Sequence, residues 1–352
     1  MSRYDLEFGD VAALLEGEPP YRARQVWEGL YRHGRGPAEL TALPRPLRDR
    51  LAAEPALAEA LRLDAAQHAD DGATVKWRWA LHDGRMVETV LMHYPGRTTV
   101  CVSSQAGCAM ACGFCATGQA GFQRNLGTGE IVEQVVRAAA EARTQGRRLS
   151  NVVFMGMGEP MANYDRVWAA VARLHAEMGL SARHVTISTI GIVPGIRRLA
   201  EAPLPVNLAV SLHAADDTLR DELVPINRRY PLAALLEACR AWVDAKGRRL
   251  SFEWALIAGV NDRAGDAARL AELAREVRAH VNLIPLNPTP GYAVRGTPAA
   301  GVRAFRDLLE SLGVNATVRR NRGTDIDAAC GQLAAAGAGR VPPPRRRADR
   351  PD

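Results

Sequence analysis

Four of the six cysteines, Cys101, Cys108, Cys112 and Cys115, fall within fifteen consecutive residues. Cys108, Cys112 and Cys115 follow the spacing C-x3-C-x2-C, and thiolates on so short a segment suit an iron–sulfur cluster. A four-iron cubane held by three cysteines keeps one iron without a protein ligand, and that iron can bind a chelating small molecule. Three other arrangements stay open on these residues alone. A structural zinc site would want a second cysteine pair or added histidines, and His93 and His184 lie well outside the cluster. Cys101 could close the cluster as a fourth ligand, making an electron-transfer centre. A disulfide would require an oxidising compartment. The stretch Gly156-Met157-Gly158-Glu159-Pro160 favours the open cluster, because backbone without side chains lets a ligand's amino group approach closely. Cys239, in the helical pattern Leu235-Leu236-Glu237-Ala238-Cys239-Arg240, reads as a buried core thiol. Cys330 stands in a polar, glycine-flanked segment from Arg322 to Gln332, where a functional thiol and an idle one are equally consistent with the sequence.

These residues need a scaffold that gathers strand ends. From about residue 86 short apolar runs alternate with amphipathic stretches. Strands are predicted over 87–93, 98–103, 152–155, 185–189, 206–211, 251–257 and 281–285. Helices are predicted over 128–144, 164–178, 193–201, 216–223, 231–245, 262–279 and 299–312. Repeated strand–helix units predict parallel strands with right-handed crossovers, hence an α/β sheet or barrel. Such folds place their sites at the C-terminal ends of the strands, and the unusual polar residues stand there: Ser103, Glu159, Ser188, Ser211, His213 and Asn287. Ahead of this region, helical spacing over 10–15 and 22–33 predicts a small helical unit, with an alternating strand from Lys76 to Leu81. The expected organisation is an N-terminal accessory unit over 1–85, a catalytic α/β unit over 86–335 and a disordered basic tail over 336–352.

Composition narrows the class. Of the 352 residues 47% are hydrophobic and 24% charged, ordinary globular usage that argues against wholesale disorder. The apolar run Trp254–Val260 has seven residues, against the ~20 a membrane-spanning helix needs. The N-terminal sequence lacks a charged-then-apolar secretory pattern, which predicts the reducing cytoplasm, where clustered cysteines serve as ligands or catalysts. Net charge is +6, half of it from the last thirteen residues with their five Arg and two Asp. Nucleic acid is thus permitted as a partner without being demanded. Lys76 and Lys246 are the only lysines. Nearly every cation is a guanidinium suited to phosphate forks, although a compositional bias of the genome gives the same result.

Taken together, the motifs resemble the RlmN/Cfr family of radical SAM methyltransferases, which use S-adenosylmethionine (SAM) to methylate adenosine in RNA. The matching stretches are Met86–Val90, Cys101–Leu126, Val153–Asn163, Val185–Pro194, Ser211-Leu212-His213, Asn282–Gly291 and Asp325–Leu333. The resemblance implies a radical SAM partial (βα)6 barrel carrying one [4Fe-4S] cluster on Cys108, Cys112 and Cys115, with SAM on the open iron. Gly158 and Glu159 would meet the SAM amino group, and Ser188, Ser211, Leu212, His213 and Asn287 would line the rest of its pocket. Cys330 and Cys101 match the family's two catalytic cysteines, and Glu88 its proton acceptor.

The implied mechanism answers a chemical difficulty: C2 of adenine, between two ring nitrogens, is too electron-poor to attack the SAM methyl group. Cys330 would take a methyl from one SAM by displacement. A second SAM would be cleaved to a 5′-deoxyadenosyl radical that abstracts hydrogen from the S-methyl group, and the methylene radical would add to C2. Loss of the C2 proton and attack of Cys101 on the Cys330 sulfur would free the RNA and leave a disulfide for reduction. The implied partners are RNA, namely 23S rRNA and tRNA with the target base splayed from its stack, and an electron donor such as flavodoxin or ferredoxin. A monomer without a membrane partner is expected. Tyr21, Arg22, Arg24, Arg32, Arg124 and the run Arg319 to Arg322 are candidates for RNA contact. The rivals are a C8 methyltransferase with the same machinery, an activase making a glycyl radical on a protein, and a noncatalytic metal-bearing RNA-binding protein.

Overall fold

The computed structural model describes residues 2–289, 292–320 and 322–334; the basic tail expected over 336–352 lies outside them. The chain begins with three short helices, α1 (Phe8–Ala13), α2 (Tyr21–Glu28) and α3 (Arg45–Ala52). The spacing over 22–33 predicts one helix; α2 instead widens into a π turn at Gly29–His33. Strands β1 (Arg62–Ala69), β2 (Thr74–Ala80), β3 (Met86–Tyr94) and β4 (Arg97–Cys101) follow. A small hairpin of β5 (Gln105–Gly107) and β6 (Phe122–Asn125) brackets α4 (Ala116–Gln119). The repeating part then runs α5 (Thr128–Thr144), β7 (Asn151–Phe154), α6 (Tyr164–Met178), β8 (Val185–Thr189), α7 (Val193–Glu201) and β9 (Asn207–Ser211). It continues through α8 (Asp217–Leu223), α9 (Leu232–Lys246), β10 (Ser251–Leu256), α10 (Ala264–Glu276), β11 (His280–Pro285), α11 (Ala299–Ser311) and β12 (Ala316–Val318).

Ten strands form one open sheet in the order β1-β2-β3-β4-β7-β8-β9-β10-β11-β12. From β4 to β12 every pairing is parallel, and each successive pair is joined through helix. Six strand–helix units therefore precede β12, as a partial (βα)6 barrel requires. The helices form where predicted because one stripe of each meets the sheet. In α5, Ile131, Val132, Val135 and Val136 are buried, and Glu130 caps its start by accepting from Gly127 N at 2.8 Å.

Two further features depart from the sequence expectation. β3, expected to open the parallel run, is antiparallel to both neighbours. Only Pro95 and Gly96 separate it from β4, and a parallel crossover needs about a dozen residues or more. Residues 62–69, within the predicted helical unit, form edge strand β1, whose residues are mostly exposed on both faces, leaving no period-two hydrophobic pattern to read. The sheet therefore runs unbroken through residue 85. On the other side, Arg173 of α6 donates to Tyr4 O at 2.7 Å and to the Tyr31 hydroxyl at 3.3 Å, fastening the first helices to the barrel. Among the described residues no helix is long and apolar enough to cross a membrane.

Candidate active site

The C-terminal ends of the parallel strands surround one cavity. Cys108, Cys112 and Cys115 enter it from the segment between β5 and α4; Gly158 and Glu159 follow β7, and Ser188 lies on β8. Ser211 ends β9 and His213 follows it, Glu253 comes from β10, Asn287 follows β11, and Arg319 and Cys330 follow β12. Leu212 stands behind this wall. It is fully buried, and its amide donates to Glu253 O at 3.0 Å, tying β9 to β10.

The cysteine segment is pinned at both ends, by Cys108 N donating to Gly121 O at 3.0 Å and by a turn in which Cys115 N donates to Cys112 O at 3.1 Å. Burial pushes the Cys108 thiol up to about 12 and Cys112 well above the usual thiol range, and the neighbouring thiols and Glu159 push the same way. Three acidic groups that repel one another when charged are a natural donor set for a cationic centre that displaces their protons. Among the described residues no three His, Cys, Asp or Glu side chains gather closely enough to share a single metal ion, whereas zinc thiolates stand about 3.8 Å apart. The trio thus fits a larger cluster better than zinc. Cys101 does not reach this cavity; it lines a smaller neighbouring one.

Beside the trio, Gly158 has a left-handed backbone (φ +97°), and a Cβ there would stand 2.5 Å from Gln105 Cβ, so only glycine fits. Glu159 is 4% exposed. Its carboxylate accepts from Met161 N at 2.9 Å and Ile190 N at 2.8 Å, yet burial outweighs these bonds and raises its pKa to about 7. His213 also has left-handed backbone (φ 61°). Its Nδ1 accepts from Ala255 N at 3.0 Å, and burial, then Arg220, lower its pKa to about 3. The ring is therefore neutral with its proton on Nε2, a donor for the cavity the ring lines. Phe114 packs edge-on against it at 4.7 Å. Asn287 Nδ2 donates to Cys330 O at 3.0 Å.

The second thiol group is assembled from distant segments. Cys101 at the end of β4 and Cys330 line the smaller cavity with Arg319, Met155 and Tyr94. All six cysteines are free thiols, so the Cys101–Cys330 disulfide of the implied cycle is not formed in this state. Burial pushes Cys101 up to about 12 and raises Cys330, and in both cases the Arg319 guanidinium opposes the rise. Arg319 is held firmly charged, first by Cys330 and then by Glu253 and Cys101. The Cys330 segment is docked by Ala116 N donating to Gly331 O at 2.7 Å and by the Thr117 hydroxyl donating to Leu333 O at 2.5 Å. Glu88 is buried on β3 and does not line the main cavity. Its carboxylate lies 3.5 Å from Lys76 Nζ and accepts from Ala334 N at 3.0 Å.

Arg319 and Glu253 were not among the residues expected in the site. Arg319 is hidden in a basic run that reads as an RNA-facing arm. Glu253 did carry a signal, a carboxylate between Phe252 and Trp254 in an otherwise apolar strand; it is 4% exposed and accepts from Asn282 Nδ2 at 2.8 Å. Arg124, a candidate for RNA contact, is instead clamped by Asp83 at 2.5 Å and Glu130 at 2.8 Å.

Comparison with known proteins accords with this geometry. Residues 102–271 match the family model of the radical SAM superfamily. The chain is 54% identical over 348 residues to a probable dual-specificity RNA methyltransferase RlmN of Salinispora tropica, covering 96% of this chain and 93% of that protein. A protein of the same description from Chloroflexus aurantiacus is 50% identical over 347 residues, 94% of this chain and 92% of its own. A crystal structure of a radical SAM methyltransferase from Sphaerobacter thermophilus matches with a TM-score of 0.91 and 49% identity, over 96% of this chain and 100% of that one. With about half of all positions shared along nearly the whole length of each relative, the chain belongs to the RlmN family of radical SAM RNA methyltransferases.

Proposed function

We propose that the protein methylates C2 of adenosine in RNA, in both 23S rRNA and tRNA, by way of an S-methylated Cys330. The observation that carries this assignment is the double position of Cys330, on the wall of the cavity lined by Cys108, Cys112 and Cys115 and on the wall of the adjoining cavity lined by Cys101. The description of its relatives as dual-specificity RNA methyltransferases supports two RNA classes as substrates.

Cys108, Cys112 and Cys115 would hold a [4Fe-4S] cluster, which when bound would supply the single electron for homolytic C–S cleavage of SAM. Gly158 and the Glu159 carboxylate receive the SAM amino group, and neutral His213 offers Nε2–H to the pocket. Cys330 must ionise to accept a methyl group, because the thiolate is the nucleophile; Arg319 lowers the cost of that charge, and Asn287 holds the Cys330 backbone in register. After the base adduct radical has given up one electron and its C2 proton, the Cys101 thiolate, across the smaller cavity, attacks the Cys330 sulfur and breaks its bond to the methylene carbon. That carbon takes a proton to become the new methyl group, while an external two-electron reductant returns the resulting disulfide to thiols. Glu88 takes the C2 proton once the segment bonded at Ala334 has moved from its carboxylate. A flavodoxin- or ferredoxin-type protein delivers the electron.

The test is anaerobic incubation of the cluster-loaded protein with SAM, a reductant and unmethylated RNA, followed by mass and NMR analysis of the nucleosides. 2-Methyladenosine is expected. 8-Methyladenosine would assign the C8 activity instead, and SAM cleavage with unmodified RNA would point to an activase.

A further inference from the structure

Arg220 is a fully buried arginine on α8 that the chemistry above does not use. Each arm of its guanidinium is occupied. Nε donates to Leu212 O at 3.1 Å, Nη2 to Ile190 O at 2.6 Å and Ser211 O at 3.4 Å, and Nη1 to Asn227 Oδ1 at 2.7 Å. Ile190 directly follows β8, while Ser211 and Leu212 end and follow β9. One side chain therefore ties together two strand ends that form the cavity wall. Ile190 N in turn donates to Glu159, which extends the tie to the loop after β7. Gly191 makes room for it, since a Cβ there would stand 3.2 Å from Nη2.

Four neutral oxygens receive these bonds, and a buried charge ordinarily needs an opposite one. The nearest compensation lies one side chain farther out, where Asn227 donates to Asp217 at 2.9 Å and Asp221 at 2.7 Å. Burial works against the Arg220 charge, and the Asp217 and Asp221 carboxylates favour it. On the inner side, Ile190 and Ser211 line the same cavity as Cys112, one of the three cluster thiols. A fixed cation in a poorly screened interior favours whichever state of a neighbouring group is more negative, and the charge near a cluster sets its reduction potential.

We infer that Arg220 is a positioning residue that clamps the β8 and β9 ends around SAM, and that its buried charge behind the cavity wall raises the reduction potential of the bound cluster. This rests on the assignment of Cys108, Cys112 and Cys115 as cluster ligands. Two variants separate the roles. Arg220→Gln removes the charge and most of the bonds; Arg220→Lys keeps the charge but cannot span both strand ends.

Full-length wild type and both variants are reconstituted anaerobically, assayed for iron and sulfide, titrated by EPR, and measured for SAM binding. Arg220→Gln should show a reduced-to-oxidised ratio about tenfold lower at a fixed donor potential, equivalent to about 59 mV for a one-electron couple. Arg220→Lys should keep the wild-type potential, and both variants should bind SAM about tenfold more weakly. An unchanged potential in Arg220→Gln would overturn the electrostatic role, and unchanged SAM affinity in both would overturn the clamp. Failure of both variants to fold would also overturn the inference, reassigning Arg220 to folding alone. Absence of a cluster from the wild type would instead refute the ligand assignment.

Discussion

The two thiol groups of this molecule are built in opposite ways. Cys108, Cys112 and Cys115 lie on one short segment pinned by its own hairpin, and the strand ends facing them come from consecutive units of one sheet. Cys101, Cys330 and Arg319 come from β4 and the segments after β12, and meet through tertiary contacts alone. The first half resembles a preformed socket. The second depends on a docked terminal segment whose backbone is held by Asn287 and Ala116. One half should therefore keep working when the other is broken.

The sharpest break is Cys330→Ala, which should abolish RNA methylation while leaving reductive SAM cleavage in place; a chromatographic assay for 5′-deoxyadenosine reads this directly. Its counterpart Cys101→Ala should leave RNA covalently attached to protein on a denaturing gel. Gly158→Ala damages only the socket. The residue sits at φ +97° with Gln105 at 2.5 Å from the added carbon, and a forced left-handed backbone costs about 1–3 kcal/mol. SAM affinity measured by calorimetry should fall by about that amount, while Cys101 and Cys330 keep their reactivity toward alkylating agents.

Arg319→Gln addresses the docked half. Each unit of rise in the Cys330 thiol pKa is a tenfold loss of thiolate, so S-methylation of Cys330 should slow about tenfold. In wild type the same reaction should accelerate about tenfold per pH unit below that raised pKa, which peptide mass spectrometry across pH 6.5–8.5 would follow. The smallest effect belongs to Glu159. With its folded pKa near 7 against 4.5 when exposed, the folded chain holds a proton over this range that the unfolded chain has lost. Stability of the cluster-free protein should therefore fall, by about 1 kcal/mol per unit, as pH rises from 5 to 6. Urea melts of Glu159→Gln should lack that slope.

The same contrast explains what could be read beforehand. Buried parallel strands are near-continuous apolar runs and their helices are amphipathic, so spans such as 185–189 and 164–178 coincide with β8 and α6. A cluster motif on one loop is visible as spacing. Arg319 is not, because whether an arginine in a basic run faces RNA or a thiol depends on where β12 ends. β1 has no buried face to give it a period, and β3 was misdirected because a hairpin and a crossover begin with similar strands. Cys330 carried only an ambiguous local signal, its polar glycine-flanked segment; its importance comes from tertiary contacts such as that with Asn287, 43 positions away in the chain.

The central claim is that a methyl group passes through Cys330 before reaching the base. Cluster-loaded protein given SAM with a trideuterated methyl group, first without RNA and then with it, tests this most directly by mass spectrometry. The account predicts a trideuteromethyl group on the Cys330 peptide before RNA is added, then 2-methyladenosine carrying two deuterium atoms, one having left with 5′-deoxyadenosine. An unlabelled Cys330, or a base that keeps all three deuterium atoms, would contradict it.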